Sequence, residues 1–135
     1  MGDAVSDLSR HLSWAECLRG SGVSDPGELP LEIRANIERM ARTLFEPIRA
    51  EWGDPLLVVS GYRDAKANKA ADGKKRSKHL DGLALDLVPA RGKGDLPAYY
   101  DLIAAMQKDG RLPPGGLSLY VEPDGRTPRF LHSDI

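Results

Sequence analysis

The sequence predicts an α+β fold, in which a small and mainly antiparallel sheet is flanked by helices. Two segments carry apolar side chains at spacings of three and four, the pattern of a helix with one buried face. Four short segments are apolar or alternate between apolar and polar residues, and turn residues separate them, which favours strands. With 135 residues and 41% apolar content, the chain is long enough for one domain with its own core, so we expect a single domain over residues 1–135.

The helices are predicted from apolar spacing and capping residues. Ser13, with Glu16 three residues later, forms a capping box that opens a short helix ending near Leu18. A longer helix is predicted from about residue 31 to residue 51, and Pro47 should kink or interrupt it because proline has no amide donor. The other predicted helices cover residues 65–71 and 95–108.

The strands are predicted from runs and alternation of apolar residues. Residues 55–60 contain four aliphatic side chains without a polar break, which predicts a buried strand. In residues 83–88 the side chains alternate, so that the leucines face a core while Ala84, Asp86 and Val88 share the opposite face. Residues 117–121 and 127–134 are predicted to pair as a hairpin. The residues before Ser13 are expected to be a loose polar segment.

Composition excludes several functional classes. Nineteen basic and twenty acidic residues give a net charge of −1, which argues against a general nucleic-acid binder. Cys17 is the only cysteine, so an intrachain disulfide and a cysteine zinc cluster are both impossible; we expect it to be buried on a helix.

No segment approaches the ~20 apolar residues of a membrane span. The first residues lack the basic and apolar regions of a signal peptide, so we expect synthesis in the cytoplasm.

The segment around Asp86 predicts a metal site. A carboxylate beside Ala84 on a strand is costly to bury unless it is paired or binds a metal. His79 precedes the same strand, across a turn at Gly82, and His132 lies near the end of the chain. Imidazole and carboxylate both suit zinc, and a catalytic zinc commonly takes three protein ligands and leaves one position for water. The sequence therefore predicts a zinc site formed by His79, Asp86 and His132. An isolated histidine such as His11 is expected to be an ordinary surface residue or a core residue with its hydrogen bonds satisfied.

Several segments together resemble the M15 zinc peptidases, which include D-alanyl-D-alanine carboxypeptidases and phage L-alanyl-D-glutamate endopeptidases. The nearest branch is the small, single-domain one found in phages and prophages. The segments that carry the resemblance occur in the family's order: Leu12-Ser13-x-x-Glu16, Ser60-Gly61-Tyr62-Arg63, Asn68, Ser77-x-His79-x-x-Gly82-x-Ala84-x-Asp86, Gly115-Gly116-Leu117-Ser118-Leu119-Tyr120 and Phe130-Leu131-His132-Ser133-Asp134. The resemblance implies a zinc peptidase domain with the hedgehog/DD-peptidase-like fold and the zinc on one face of the sheet.

The same resemblance implies roles for residues around the metal. Arg63 matches the arginine that binds a substrate carboxylate, and Ser77 matches a residue of the substrate pocket, although it could merely cap a turn. Many members carry an acidic residue three positions before the last zinc histidine, where this chain has Arg129. The small branch instead places an aspartate two residues after that histidine, as Asp134 is. Asp134 is therefore the first choice for the general base, although it could instead orient a zinc histidine. Glu122 is the alternative base.

The expected function is hydrolysis of peptide bonds that involve D-amino acids in peptidoglycan stem peptides, by a monomer. Sequence leaves open whether the enzyme is a carboxypeptidase or an endopeptidase, and whether it reaches the wall after release from the cell or inside a virion. Two other functions stay open, namely a zinc-stabilised binding module that has lost catalysis and a virion structural component. The basic segment over residues 72–76 is expected to be a solvated loop, or else a rim that attracts an acidic substrate.

Overall fold

The computed structural model describes residues 7–71 and 73–135. Its architecture is α+β, as predicted, with a four-stranded antiparallel sheet, a separate pair of strands and helices packed against the larger sheet. The α-helices in these residues are α1 (Trp14–Leu18), α2 (Leu31–Met40), α3 (Glu46–Trp52), α4 (Ala65–Ala70) and α5 (Leu96–Lys108). The strands are β1 (Asp7–Ser9), β2 (Leu12–Ser13), β3 (Leu56–Ser60), β4 (Ala84–Pro89), β5 (Leu117–Val121) and β6 (Pro128–Asp134). None of these helices is long and apolar enough to cross a membrane.

The larger sheet has the strand order β3-β4-β6-β5, and every neighbouring pair is antiparallel. Its two faces differ in character. Leu85, Leu87 and Leu131 point into the core, where they pack with apolar side chains of α2, α3 and α5. Because side chains alternate along a strand, Asp86 and His132 lie on the opposite face. The predicted alternation in residues 83–88 is therefore confirmed.

The strand predicted for residues 55–60 forms as β3, but the prediction that it is buried is wrong for one of its faces. Leu56 and Val58 are buried, but Leu57 is 55% exposed and Val59 is 51% exposed. β3 is an edge strand with β4 as its sheet neighbour, and only one of its faces lies on the core. A short run of aliphatic residues does not show by itself whether one face or both are covered.

The helix predicted for residues 31–51 is interrupted, as Pro47 indicated. The segment Ala41–Phe45 between α2 and α3 forms a wide π-helical turn, and the Glu46 amide donates to the carbonyl of Ala41. Pro47 follows in the first turn of α3, where its missing amide is tolerated. The apolar stripe survives the interruption, since Ile37, Met40, Leu44 and Ile48 are all fully buried.

The residues just before Ser13 are more ordered than expected. β1 and β2 pair across a turn, so the expected loose segment is wrong for residues 7–12, while residues 1–6 lie outside the described residues. Glu46 holds this turn, because its carboxylate accepts hydrogen bonds from the Ser9 hydroxyl at 2.6 Å and from the His11 amide at 2.7 Å. The His11 ring contacts the same carboxylate at 2.8 Å, so His11 has a structural role at the surface.

Cys17 on α1 is buried, as predicted. Burial raises the pKa of its thiol to about 11, so the thiolate is scarce near neutral pH. Its backbone carbonyl accepts a hydrogen bond from the Tyr62 amide, which ties α1 to the chain that leaves β3. This cysteine is therefore part of the packing beneath the Ser60–Arg63 segment rather than a reactive group.

Candidate metal centre

His79 is positioned by a short 3-10 helix, Lys78–Asp81, whose two ends are fixed by local chemistry. The Ser77 hydroxyl accepts a hydrogen bond from the His79 amide at 3.2 Å and caps the first turn. Gly82 ends the helix with φ at +74°, a conformation that suits glycine because it has no Cβ. The turn predicted before β4 is confirmed, and it directs the His79 ring into the protein, where the side chain is 4% exposed.

Strand register brings the other two predicted ligands together. Asp86 on β4 lies directly opposite His132 on β6, and both side chains share the face that also receives His79. The Asp86 Oδ1 atom lies 2.9 Å from His132 Nδ1 and 3.2 Å from His79 Nε2. The three residues each offer a ligand atom, and these atoms all lie within 4.8 Å of one another. The structure therefore assembles the predicted cluster from residues 53 positions apart in sequence.

The opposite polar atom of each residue in the cluster is held by an outer partner. His79 Nδ1 donates to the Gly61 carbonyl at 2.6 Å, which directs Nε2 at the centre of the cluster. His132 Nε2 contacts Asp134 Oδ2 at 2.8 Å, and Arg63 Nη2 donates to Asp86 Oδ2 at 3.4 Å. Partners of this kind fix the tautomer and orientation of metal-binding histidines. His79 Nε2, Asp86 Oδ1 and His132 Nδ1 are the atoms that converge.

Two of the three separations between these atoms are close to those expected around a tetrahedral ion. With metal–ligand distances of about 2.0–2.1 Å, two ligand atoms of a tetrahedral site lie about 3.3–3.5 Å apart. The observed 3.2 Å between His79 and Asp86 is close to this range, and the 2.9 Å between His132 and Asp86 would lengthen slightly. Two imidazoles and one carboxylate are also donors that transition metals accept. The donor set therefore suits a metal ion, and all three ligand atoms lie within 4.8 Å of one another.

The electrostatics of the cluster reflect a buried carboxylate between two imidazoles. Burial raises the pKa of Asp86, but hydrogen bonds from His132 and His79 outweigh it and leave the pKa below its ordinary value. Burial lowers the pKa of His132, but the contacts with Asp86 and Asp134 outweigh it and leave this pKa above its ordinary value. Asp86, which is 2% exposed, is therefore held in the ionised form that binds a metal.

Arg63 and Ser77, the predicted substrate-binding residues, both line the cleft that leads to the cluster. Besides its contact with Asp86, the Arg63 guanidinium donates to the Ser60 hydroxyl at 3.0 Å and to Asn68 Oδ1 at 3.3 Å. Arginine has five N–H donors, so these contacts leave two of them for another acceptor. Ser77 caps the short helix, which was the alternative to a role in substrate binding. Because Ser77 also lines the cleft, it is placed where it could contact a substrate as well.

The two candidates for the general base occupy different places. Asp134 lines the cleft, and its Oδ1 accepts the Gly116 amide at 2.7 Å while its Oδ2 contacts His132. Glu122 follows β5 and lies 3.7 Å from Arg129 across the hairpin, and it is not among the described residues that line the cleft. Among the described residues that line the cleft, Asp134 and Asp86 are the carboxylates. The structure therefore brings Asp134, and not Glu122, to the cluster.

Two glycines have roles that the sequence interpretation did not assign. A Cβ on Gly61 would lie 2.5 Å from the Cys17 carbonyl oxygen, so the close approach that supports His79 requires glycine. A Cβ on Gly115 would lie 1.7 Å from the Asp134 carbonyl oxygen, so the Gly115-Gly116 pair lets β5 begin against the end of β6. Both glycines lie in segments that carried the resemblance, but only the tertiary contacts explain them.

Gly82→Ala is expected to destabilise the protein and weaken metal binding. A side chain at φ +74° costs about 1–2 kcal/mol. The added Cβ would also lie 2.6 Å from Cγ1 of the fully buried Ile37, which raises the cost and displaces the neighbouring His79. Urea unfolding and a zinc competition titration measure the two effects.

Gly125→Ala is the matched control for this prediction. Gly125 also has φ at +74°, but nothing lies within 4 Å of its added Cβ in the hairpin turn. Equal losses of stability in the two variants, with unchanged zinc affinity in both, would contradict the assigned role of Gly82.

An open cleft of about 780 Å³ leads to the cluster, a volume typical of sites for small ligands and short peptides. A His–Asp–His cluster at the floor of such a cleft, carried by a small antiparallel sheet, can hold a metal ion beside a bound ligand. The family model described as Peptidase M15 matches residues 11–102, and the chain belongs to this family of metal-dependent peptidases. The comparison with curated proteins returned no match. The matched residues include Arg63, His79 and Asp86, while His132 and Asp134 follow the match.

Proposed function

We propose that the protein is a zinc peptidase that hydrolyses peptide bonds involving D-amino acids in peptidoglycan stem peptides. Membership of the peptidase M15 family supports the peptidase activity and the general class of substrate. One observation carries the site assignment. The ligand atoms of His79, Asp86 and His132 converge, and the opposite polar atom of each is held by Gly61, Arg63 or Asp134.

Zinc is the metal that this donor set favours. Two histidines and one carboxylate form a common set of protein ligands in catalytic zinc sites, where a fourth position stays open. When bound, zinc would lower the pKa of its water to about 7 and polarise the scissile carbonyl. The open cleft above the cluster would admit both the water and the peptide.

Arg63 would orient the substrate. Its two remaining N–H donors suit a peptide carboxylate, and its contacts with Ser60, Asn68 and Asp86 hold the guanidinium plane. Ser77 would contribute its hydroxyl to the adjacent wall of the cleft. Bound in this way, the peptide would be fixed beside the cluster, which supplies part of the catalysis by positioning alone.

Asp134 is the proposed general base, which would take a proton from the attacking water and deliver it to the leaving amine. Its position in the cleft and its contact with His132 support this role. The same contact supports the alternative role, in which Asp134 orients the His132 ring through Nε2. The two roles predict different consequences for substitution by asparagine.

Arg63→Lys is expected to reduce kcat/KM about tenfold to a hundredfold on peptides with a free carboxylate, mainly through KM. Lysine keeps the charge but loses the planar fork, and a hydrogen bond to a charged group contributes about 1.5–3 kcal/mol. Steady-state kinetics on a carboxylate peptide and on its carboxamide form measure the effect, with zinc content as the control because Arg63 contacts Asp86. Equal losses on both peptides would contradict the role in carboxylate binding.

A second candidate is a zinc-stabilised binding module without catalytic activity. Arg129, which occupies the position where many members have an acidic residue, is exposed and lines the cleft. Such a module would bind zinc and stem peptides, but it would leave the peptides intact.

The proposal is tested by incubating purified peptidoglycan with the zinc-loaded protein and with chelator-treated protein. New amino groups, released only by the zinc-loaded form, are expected. Mass spectrometry of the products then separates a carboxypeptidase, which releases single D-alanine, from an endopeptidase, which cuts within the stem. Bound but uncut stem peptides would favour the binding module instead.

A further inference from the structure

The charge of the cleft differs from that of the whole chain. The chain has a net charge of −1, but the described residues that line the cleft include six cationic side chains and two carboxylates. The carboxylates are Asp86 and Asp134, both engaged with His132. The cationic residues are Arg19, Arg63, Lys74, Arg76, Lys78 and Arg129. Positive charge in a concave site concentrates anionic ligands there.

Three of these cations lie on residues 73–78, the basic loop. Its backbone is held by Asn68 on α4, a polar residue that is only 5% exposed. The Gly73 amide donates to the Asn68 carbonyl at 2.8 Å, and Asn68 Nδ2 donates to the Lys74 carbonyl at 2.9 Å. A Cβ on Gly73 would lie 2.1 Å from Asn68 Oδ1, so the loop packs closely on this side chain.

The same asparagine connects the basic loop to the metal cluster. Asn68 Oδ1 accepts from Arg63, and Arg63 donates to Asp86. At the other end of the loop, the Ser77 amide donates to the Lys74 carbonyl at 3.1 Å and the Ser77 hydroxyl caps the helix that carries His79. Hydrogen bonds therefore fix both ends of the loop relative to the cluster. A loop that only contacts solvent would not require this attachment.

The cations of the basic loop are exposed and available to a ligand. Within residues 7–71 and 73–135, no carboxylate forms an ion pair with Lys74, Arg76 or Lys78. They lie beside Arg63, whose free donors are already proposed to bind one carboxylate. The wall of the cleft thus carries more positive charge than a single substrate carboxylate would neutralise.

We propose that the basic loop is a subsite for a second carboxylate of the substrate, and that the preferred substrates are peptides with at least two free carboxylates. This inference rests on the proposed peptidase function. Lys74 and Arg76 are the specificity-determining residues, and Asn68 is the positioning residue that holds them. A peptide fits better than an anionic polymer, because the charges line a cleft of about 780 Å³ next to the cluster rather than an open face.

The test uses two peptides that differ only at the second carboxylate, which is free in one and a carboxamide in the other. Zinc-loaded wild type is expected to prefer the free acid about tenfold in kcat/KM, since two exposed ion pairs of up to about 0.7 kcal/mol each give this ratio. In Lys74→Gln/Arg76→Gln the ratio falls towards one, mainly through KM. The preference of wild type also falls as salt is raised.

Lys66→Gln/Lys69→Gln is the matched control. It removes the same charge from α4, where both lysines are exposed and outside the cleft lining, and it is expected to keep the preference. Equal rates of wild type on the two peptides, or equal loss in the two double variants, would overturn the subsite.

A binding measurement separates failure of this inference from failure of the proposed function. Calorimetry with a reduced-amide analogue of each peptide, which cannot be hydrolysed, is expected to show the same acid preference in wild type and its loss in Lys74→Gln/Arg76→Gln. Hydrolysis of neither peptide would refute the peptidase and leave the subsite to be decided by this titration. Tighter binding of a polyglycerol phosphate fragment than of the diacid analogue would overturn the assignment to a peptide.

Discussion

His132→Ala is expected to purify without zinc, whereas the wild type is expected to carry about one zinc per chain. The substitution removes one of three convergent ligands. The two that remain, Asp86 and His79, are expected to bind zinc too weakly to retain it during purification. Hydrolysis of stem peptides should fall at least about a hundredfold to a thousandfold, because the metal supplies several kcal/mol of transition-state stabilisation. Elemental analysis of the purified proteins and an amine-release assay measure the two losses.

His11→Ala is the matched control, since it is the same change at the one histidine outside the cluster. The His11 ring contacts Glu46 at the β1–β2 turn, so this variant should lose a little stability and keep both zinc and activity. Circular dichroism shows whether each variant is folded. A folded wild type that takes up no zinc when zinc is supplied would refute the metal site, and zinc retained in His132→Ala would refute His132 as a ligand.

Asp134→Asn is expected to lose about 10²–10⁴ in kcat while it keeps its zinc, if Asp134 is the base as proposed. Asparagine has nearly the shape of aspartate, and its carbonyl oxygen can accept from Gly116 or from His132, but its amide cannot take a proton from water. Steady-state kinetics at saturating zinc, together with a zinc competition titration, separate the chemical role from metal binding.

Asp134→Ala completes the comparison, because it removes the contact with His132 as well as the carboxylate. If Asp134 only orients His132, the alanine variant should bind zinc about 10–100-fold more weakly and recover activity with excess zinc. The asparagine variant would then stay largely active. That pair of results would contradict the base assignment, and it would direct attention to another proton acceptor in the cleft.

The sequence determined the local parts of the structure well. The capping box at Ser13, the interruption of the helix before Pro47, the turn at Gly82 and the alternation around Asp86 depend on neighbouring residues, and all four predictions are confirmed. Two predictions failed because they depend on distant neighbours. The exposure of Leu57 and Val59 follows from the edge position of β3, and the pairing of β1 with β2 depends on Glu46, 35 residues beyond His11.

In the metal cluster, too, some features follow from the local sequence and others only from the tertiary structure. The sequence by itself determined which residue types could bind a metal, since histidine and aspartate at these positions suit zinc and the segments around them resemble one family. Only the tertiary structure decided that His132 lies opposite Asp86, that Gly61 and Asp134 hold the histidine rings, and that Asn68 joins the basic loop to Arg63. The physical reason is that hydrogen bonds act over about 3 Å in space, whatever the separation along the chain.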